Sequence, residues 1–449
     1  WCNSYCASSP KKEGVSLRKS YLMTGSSLLA LLFFANCTEN VATAPDLDLI
    51  DTKPHTLEVL VPSEQFVQDV TVWGGYGSAS DFGSGVVAKD FNGFSAKTIV
   101  RFGSYPESFQ LEGTETSLKY LGGRVVLSFD SVQGPYDESI GIEILATQNN
   151  WDAKTVNWNF AVDTAGNKAA WNQPGAGSSV LVASGDLDSH LAGDSVVTFA
   201  SISLDVDSAS VANWGKVGDQ SQGIVVASSD SGTRLNLWNA SLVLTAVPLI
   251  NPDTIVEIPI PVSDLSFIVD PMPVDPTGWL RVGGLPSWRS VITIKLPEQI
   301  QGSVEVCGST ECSFDLSKSQ LNLAELILTT RETEVGFKPT EPLGVEVRSV
   351  LDLQSLPKSP LGEFIGGQQG FTMKPELFSG SGQGEVKFEL TELLKKGFDE
   401  KSSLFPSQTI ALLSSDEGSS LSFASFEGSG NSGPVLRLLL TVPQIGTSP

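Results

Sequence analysis

Four stretches of this chain occur twice, in the same order, and each is written largely in the two-residue alternation of a half-buried β-strand. AKTIVRFGSYP (96–106) matches WRSVITIKLP (288–297), and GDSVVTFASISLDV (193–206) matches GQGEVKFELTELLK (382–395). GIVVASSDSGTRLNLW (223–238) matches TIALLSSDEGSSLSFA (409–424), and LVLTAVP (242–248) matches LRLLLTVP (436–443). Such a repeat points to one strand-rich unit used twice. Gly, Ser, Asn and Asp clusters separate the runs at the short spacing of all-β folds. The predicted architecture is two tandem antiparallel β-sandwich, jelly-roll-like domains, 66–248 and 262–444. PLINPDTIVEIPIPV (248–262) carries four prolines, and proline leaves sheet interiors, so 249–261 reads as a stiff linker. Residues 445–449 form a tail.

The charge narrows the partners. Lys and Arg number 28 against 51 Asp and Glu, a formal net charge of −23 in 449 residues. A surface this acidic excludes nucleic acid and disfavours anionic lipid and polyanionic sugars. Charged residues are 18% and hydrophobic ones 40%, a composition that builds cores rather than disordered tails. With two histidines, His55 and His190, little is available for His-based zinc sites or general bases.

The N-terminal region carries an address. Arg18 and Lys19 precede the apolar run Leu28–Ala35, too short to span a bilayer and fitted to a signal-peptide core. Cys37 follows Phe34-Ala35-Asn36, an arrangement that resembles a bacterial lipoprotein cleavage box with Cys37 as the lipidated residue. The alternative is plain secretion through Ala42-Thr43-Ala44, where Pro45 disfavours cleavage. Residues 1–14 read as an upstream in-frame artefact ahead of a start at Val15, which makes 15–37 the signal peptide. The polar, Pro-punctuated segment 38–65 reads as a flexible tether. The expected location is the cell envelope, by lipid anchor to the membrane, with secretion as the alternative.

Several motifs together resemble the DNRLRE family of extracellular bacterial β-sandwich domains. Leu280-Arg281-Val282-Gly283 precedes the Arg289–Pro297 strand, as in that family. Trp151-Asp152-Ala153-Lys154-Thr155-Val156-Asn157-Trp158-Asn159 is similar to its W-x-x-x-T-V-x-W-N motif, and Gly223-Ile224-Val225-Val226 to its late strand. The second half lacks the tryptophan motif. The resemblance implies surface display and glycan contact; it does not imply a reaction.

Catalytic constellations are not found. There is no G-x-S-x-G elbow, no phosphate-binding P-loop, and no carboxylate pair singled out among the 51 acids. Cys307 and Cys312 flank the turn Gly308–Glu311 of an expected hairpin and would pair as a disulfide in an oxidising compartment. Asp186, Asp188 and Asp194 crowd a Gly-rich turn whose oxygens suit calcium. Of the tryptophans, Trp73, Trp151, Trp158, Trp171, Trp214 and Trp238 lie in the first half and only Trp279 and Trp288 in the second. Trp158 and Trp238 sit in alternating strands and read as core. Trp73, Tyr76, Trp151 and Trp171 adjoin turns, and loop aromatics offer flat faces to sugars. The function expected is a non-enzymatic, surface-anchored or secreted module that binds extracellular polysaccharide through its first domain. The alternatives are an envelope spacer without small ligand and an accessory part of a polysaccharide-degrading system.

Overall fold

The computed structural model describes residues 55–133, 139–177, 179–187, 200–215, 222–285, 287–302, 312–365, 371–399, 405–418 and 420–442. The fold is all-β: antiparallel sheets arranged as two sandwich modules. The signal and lipidation region, including Cys37, lies outside the described residues. Among those described, no helix is long and apolar enough to cross a membrane.

Module one is a nine-stranded sheet folded on itself. Its order is Val180–Leu187, Ile140–Ala146, Ile224–Ser228, Phe94–Phe102, Val256–Asp270, Thr233–Pro248, Leu118–Gln133 and Ala200–Asp207. Strand Gly85–Phe91 also pairs with both Thr233–Pro248 and Phe94–Phe102. Alternate residues of these strands, among them Val125, Leu127, Phe129, Ile142, Ile144, Leu242 and Leu244, are fully buried between the layers. Module two has two six-stranded sheets. One runs His55–Pro62, Val435–Val442, Gln320–Arg331, Phe423–Glu427 and Trp279–Gly283, with Glu385–Glu389 also on Gln320–Arg331. The other runs Val67–Trp73, Arg289–Ile294, Gln408–Ser414, Leu343–Val350 and Leu361–Phe364, with Phe371–Met373 also on Leu343–Val350.

The two modules exchange their leading strands. The first described segment, His55–Pro62 and Val67–Trp73, pairs with Val435–Val442 and Arg289–Ile294 of module two. The leading strand of the second repeat, Val256–Asp270, pairs instead with Thr233–Pro248 and Phe94–Phe102 of module one. Each repeat thus completes the sandwich of the other. Val59, Val61 and Phe66 are buried in the module two core, and Ile260 in the module one core.

This corrects three boundaries read from the sequence. The last part of the expected tether, from His55, is a strand and a short helix, Ser63–Phe66. The first domain does not own its opening strand at 67–73. The expected linker 249–261 is turn and irregular chain over 249–255, but its second half, from Val256 onward, is strand. Its prolines mislead because Pro259 and Pro261 are two residues apart, so their missing N–H groups fall on the same side of the strand. The Pro261 carbonyl accepts from Gly103 N at 2.8 Å, so that side faces away from strand Thr233–Pro248 and the ladder there is intact.

The four matched stretches occupy equivalent places. Phe94–Phe102 and Arg289–Ile294 each lie between a late strand and an exchanged strand. Ala200–Asp207 and Glu385–Glu389 each pair with a long strand and lead into a short helix. Asp207 caps the first helix by accepting from Ser210 N at 2.7 Å, and Trp214 of that helix packs on Phe102 with centroids 5.8 Å apart. A third cluster, with Phe94 and Phe267 from one side and Phe337 and Phe423 from the other, is shared by both modules.

Candidate binding site

Where the two connections cross, the modules enclose a cleft of about 520 Å³. One wall comes from the connection after Trp73 (Tyr76, Asp81) and another from the connection after Asp270 (Asp275). The loop after Ala146 adds Lys154 and Asp163, and the turn before Arg289 adds Trp288. The volume is that of a small-ligand site. The lining mixes rings with carboxylates and an ammonium, and contains no histidine or cysteine.

Its walls are held by local bonds. Asp81 Oδ2 accepts from Ser78 N and Ser78 Oγ, both at 2.8 Å. Tyr76 donates its hydroxyl to the Pro357 carbonyl, and Arg289 covers its ring at 3.7 Å, itself held by Glu417 at 2.8 and 2.5 Å. Burial pushes the Tyr76 hydroxyl above its usual range, so it stays protonated at neutral pH. Asp163 accepts from Asn157 Nδ2 at 3.1 Å and pairs with Lys168 at 2.6 Å. Lys154 and Asp275 make no side-chain hydrogen bond or ion pair among the described residues. Trp288 is 7% exposed and its buried Nε1 has no partner. Arg281, 1% exposed, ties the connection to module two by donating to the Val274 carbonyl at 2.5 Å and to Glu334 at 2.6 Å. The lining thus brings the half-buried Tyr76 and the largely buried Trp288 beside the Lys154 ammonium and the Asp275 carboxylate.

The four aromatic residues singled out from the sequence do not form one site. Only Tyr76 lines the cleft. Trp73 ends an exchanged strand of module two and donates Nε1 to Thr71 Oγ1 at 3.0 Å. Trp151 and Trp171 are 4% and 5% exposed, which corrects their expected place on an open loop face. Trp151 Nε1 donates to the Gln222 carbonyl and Trp171 Nε1 to the Asn157 carbonyl, both at 2.8 Å. With Val156 and Ala161 they pack on Ile99, Val225 and Ile268, and so fasten the loop after Ala146 to the outer face of the sheet. Arg101 covers the Trp151 ring at 4.5 Å. The tryptophan-rich motif is thus a packing device, and its physical cause is that the loop has no strand of its own in the sandwich. Asp186 lies in strand Val180–Leu187, while Asp188 and Asp194 lie outside the described residues. The backbone of Cys312 opens strand Cys312–Asp315, which pairs with Gln299–Gly302; Cys307 and the Cys312 side chain lie outside the described residues.

Sequence reasoning misplaced Trp238. It is 51% exposed, not core. Strand Thr233–Pro248 changes register against Leu118–Gln133 between Leu237, opposite Phe129, and Asn239, opposite Ser128, which leaves Trp238 as the extra residue of a bulge. The signal is legible afterwards: Leu235 and Leu237 are in one phase and Ala240, Leu242 and Leu244 in the other. On the opposite edge, pairing with Gly85–Phe91 stops at Leu237 and pairing with Val256–Asp270 starts at Ser241. The gap is a shallow depression of about 580 Å³ lined by Trp238, Asn239, Ser241, Pro259 and Pro261.

No family model matches the chain, and no curated protein matches its sequence. Among solved structures, a Parabacteroides distasonis protein described as secreted is similar at 10% identity, over 87% of this chain and all of that one, with a TM-score of 0.17. The N-terminal CBM22 tandem of Paenibacillus barcinonensis Xyn10C is similar at 7% identity, over 83% of this chain and 98% of that one, with a TM-score of 0.14.

Proposed function

We propose that this chain is a non-enzymatic extracellular module that binds a neutral glycan in the cleft where its two sandwiches cross. The observation that carries the reading is the cleft itself: a ligand-sized hollow between the two modules, with Tyr76 and Trp288 beside Lys154 and Asp275. Aromatic faces and apolar carbons supply contact area, and the polar groups fix orientation. The net charge of −23 favours a neutral sugar over a polyanion. In this reading the envelope address, with Cys37 as lipid anchor, presents the modules at the cell surface.

Calorimetric titration of the full chain with neutral oligosaccharides (cello-, xylo-, manno- and malto-series) tests it. Lys154→Ala removes an ammonium that makes no side-chain hydrogen bond or ion pair among the described residues, and Asp275→Asn keeps the shape of a side chain whose charge also faces buried Arg281. Each is expected to weaken binding by about tenfold, the worth of one hydrogen bond to a charged group, with the melting temperature unchanged. Binding that ignores both variants, or no binding across the panel, overturns the reading in favour of an envelope spacer.

A further inference from the structure

The crossing cleft continues along one side of module one. A middle hollow of about 500 Å³ shares Asp81 and Lys154 with the cleft. That hollow in turn shares Val262 and Leu265 with the depression beside Trp238. Strand Val256–Asp270 contributes to all three: Pro259–Val262 at the far end, Val262–Leu265 in the middle and Phe267–Val269 at the cleft. Ten residue steps from Pro259 to Val269 give at most about 33 Å of strand at ~3.3 Å per residue. The bulge between Val262 and Asp264 shortens the straight-line distance.

We propose that these hollows form one groove that takes a neutral polysaccharide chain along its length, with Trp238 as the stacking platform at the end remote from the cleft. The inference rests on the glycan reading of the cleft and extends it from a short ligand to a polymer. Three features support it. The bulge holds a large flat ring half in water at the one place where neither neighbouring strand covers the edge, and Asn239 and Ser241 lie beside it. The middle of the groove carries both signs, with Arg101 bonded to Asp264 at 2.9 Å and to the Trp151 carbonyl at 2.9 Å, and with Asp81, Asp152 and Lys154 on the same lining, so no single-sign field selects a charged chain there. The exchanged strand is paired on both sides, to Thr233–Pro248 and to Phe94–Phe102, so the groove is formed before ligand arrives and little ordering cost falls on binding.

The test is a length series on the full chain. Neutral oligosaccharides of two to six units, of whichever type the wild-type chain binds, are titrated into wild type, Trp238→Ala and Trp238→Phe. Affinity is expected to rise with length in the wild type. Trp238→Ala should flatten that rise, with a loss of about tenfold for the longest ligand and none for the shortest, and Trp238→Phe should restore most of it. An unchanged melting temperature for Trp238→Ala confirms that the exposed ring carries no core packing. Affinity independent of length, or equal loss at every length, overturns the groove while leaving the cleft reading standing. No binding by any sugar overturns both.

Discussion

Glu58, in the first strand of the described chain, and Arg437, in the last, are joined by two hydrogen bonds of 3.0 and 3.4 Å across the seam where the exchanged segment meets module two. Glu257 and Arg124 make the corresponding pair on module one, at 2.6 and 2.9 Å. Each glutamate sits in an exchanged strand; Arg437 lies on the adjacent strand, while Arg124 reaches across from the strand beyond. A glutamate–arginine fork thus braces each exchanged strand, although the arginine comes from a non-equivalent strand in each case and Arg437 also bonds Glu325 at 2.6 Å.

These pairs predict an acid-sensitive seam. The hydrogen bonds and charge of Arg437 hold the Glu58 carboxyl below the usual glutamate range, and Arg124 does the same to Glu257. A depressed folded-state pKa gives stability that is present above the unfolded value and lost as pH falls through the folded one. Denaturant midpoints measured from neutral pH down through the carboxylate range should therefore fall less steeply in the double variant E58Q/E257Q than in wild type. Both carboxylates are solvent-exposed, so the difference is small and shrinks further in high salt. Parallel pH profiles for the two proteins would show that the forks contribute nothing to the seam.

Trp151→Ala and Trp171→Ala should each lower stability by about 3–5 kcal/mol, the range for buried tryptophans replaced by alanine. Both remove a ring from the cluster on Ile99, Val225 and Ile268, and both delete a satisfied indole hydrogen bond. Urea unfolding followed by far-UV circular dichroism measures this. A loss below about 1 kcal/mol, typical of surface substitutions, would mean the rings are not core.

Phe66→Ala tests the exchange itself. Phe66 precedes the whole first repeat core in sequence yet is 1% exposed within module two. Its removal should cost about 3–5 kcal/mol, and hydrogen exchange should show the loss of protection in strands Arg289–Ile294 and Val435–Val442 rather than in Phe94–Phe102. Loss confined to Phe94–Phe102 would place the leading segment on its own repeat.

The aromatic imbalance between the halves has a structural origin that composition alone hides. Trp151, Trp158 and Trp171 fasten one long loop to the outside of a sheet, and Trp214 plugs one end of the sandwich. Tyr105 and Tyr120 pack edge to face at 5.3 Å and donate to backbone carbonyls at 2.7 and 2.8 Å. The exposed exception, Trp238, lies in a strand whose alternation read as core.

Local sequence determined the strands, the turns and the duplication. Alternation buries one face of a strand wherever a second layer exists, and that demand is visible in Val125–Phe129 or Leu436–Leu440 without any knowledge of the partner. It did not determine which copy of the leading strand each sandwich receives. Both copies have the same alternation and both carry the glutamate of the fork, so pattern and charge fit either module. The choice is made where the connections meet the modules: Phe82 against Phe267 at 5.0 Å, and Arg281 on Glu334 at 2.6 Å, are contacts between segments distant in sequence. The same holds for the site. Tyr76 was legible as an aromatic beside a turn, but the cleft exists only because two connections cross, and Trp238 faces water only because the edge of its strand passes there from one neighbour to another. Strand pairing is a contest between alternative edges of equal local quality, and packing at the crossing, which no window of sequence contains, decides it.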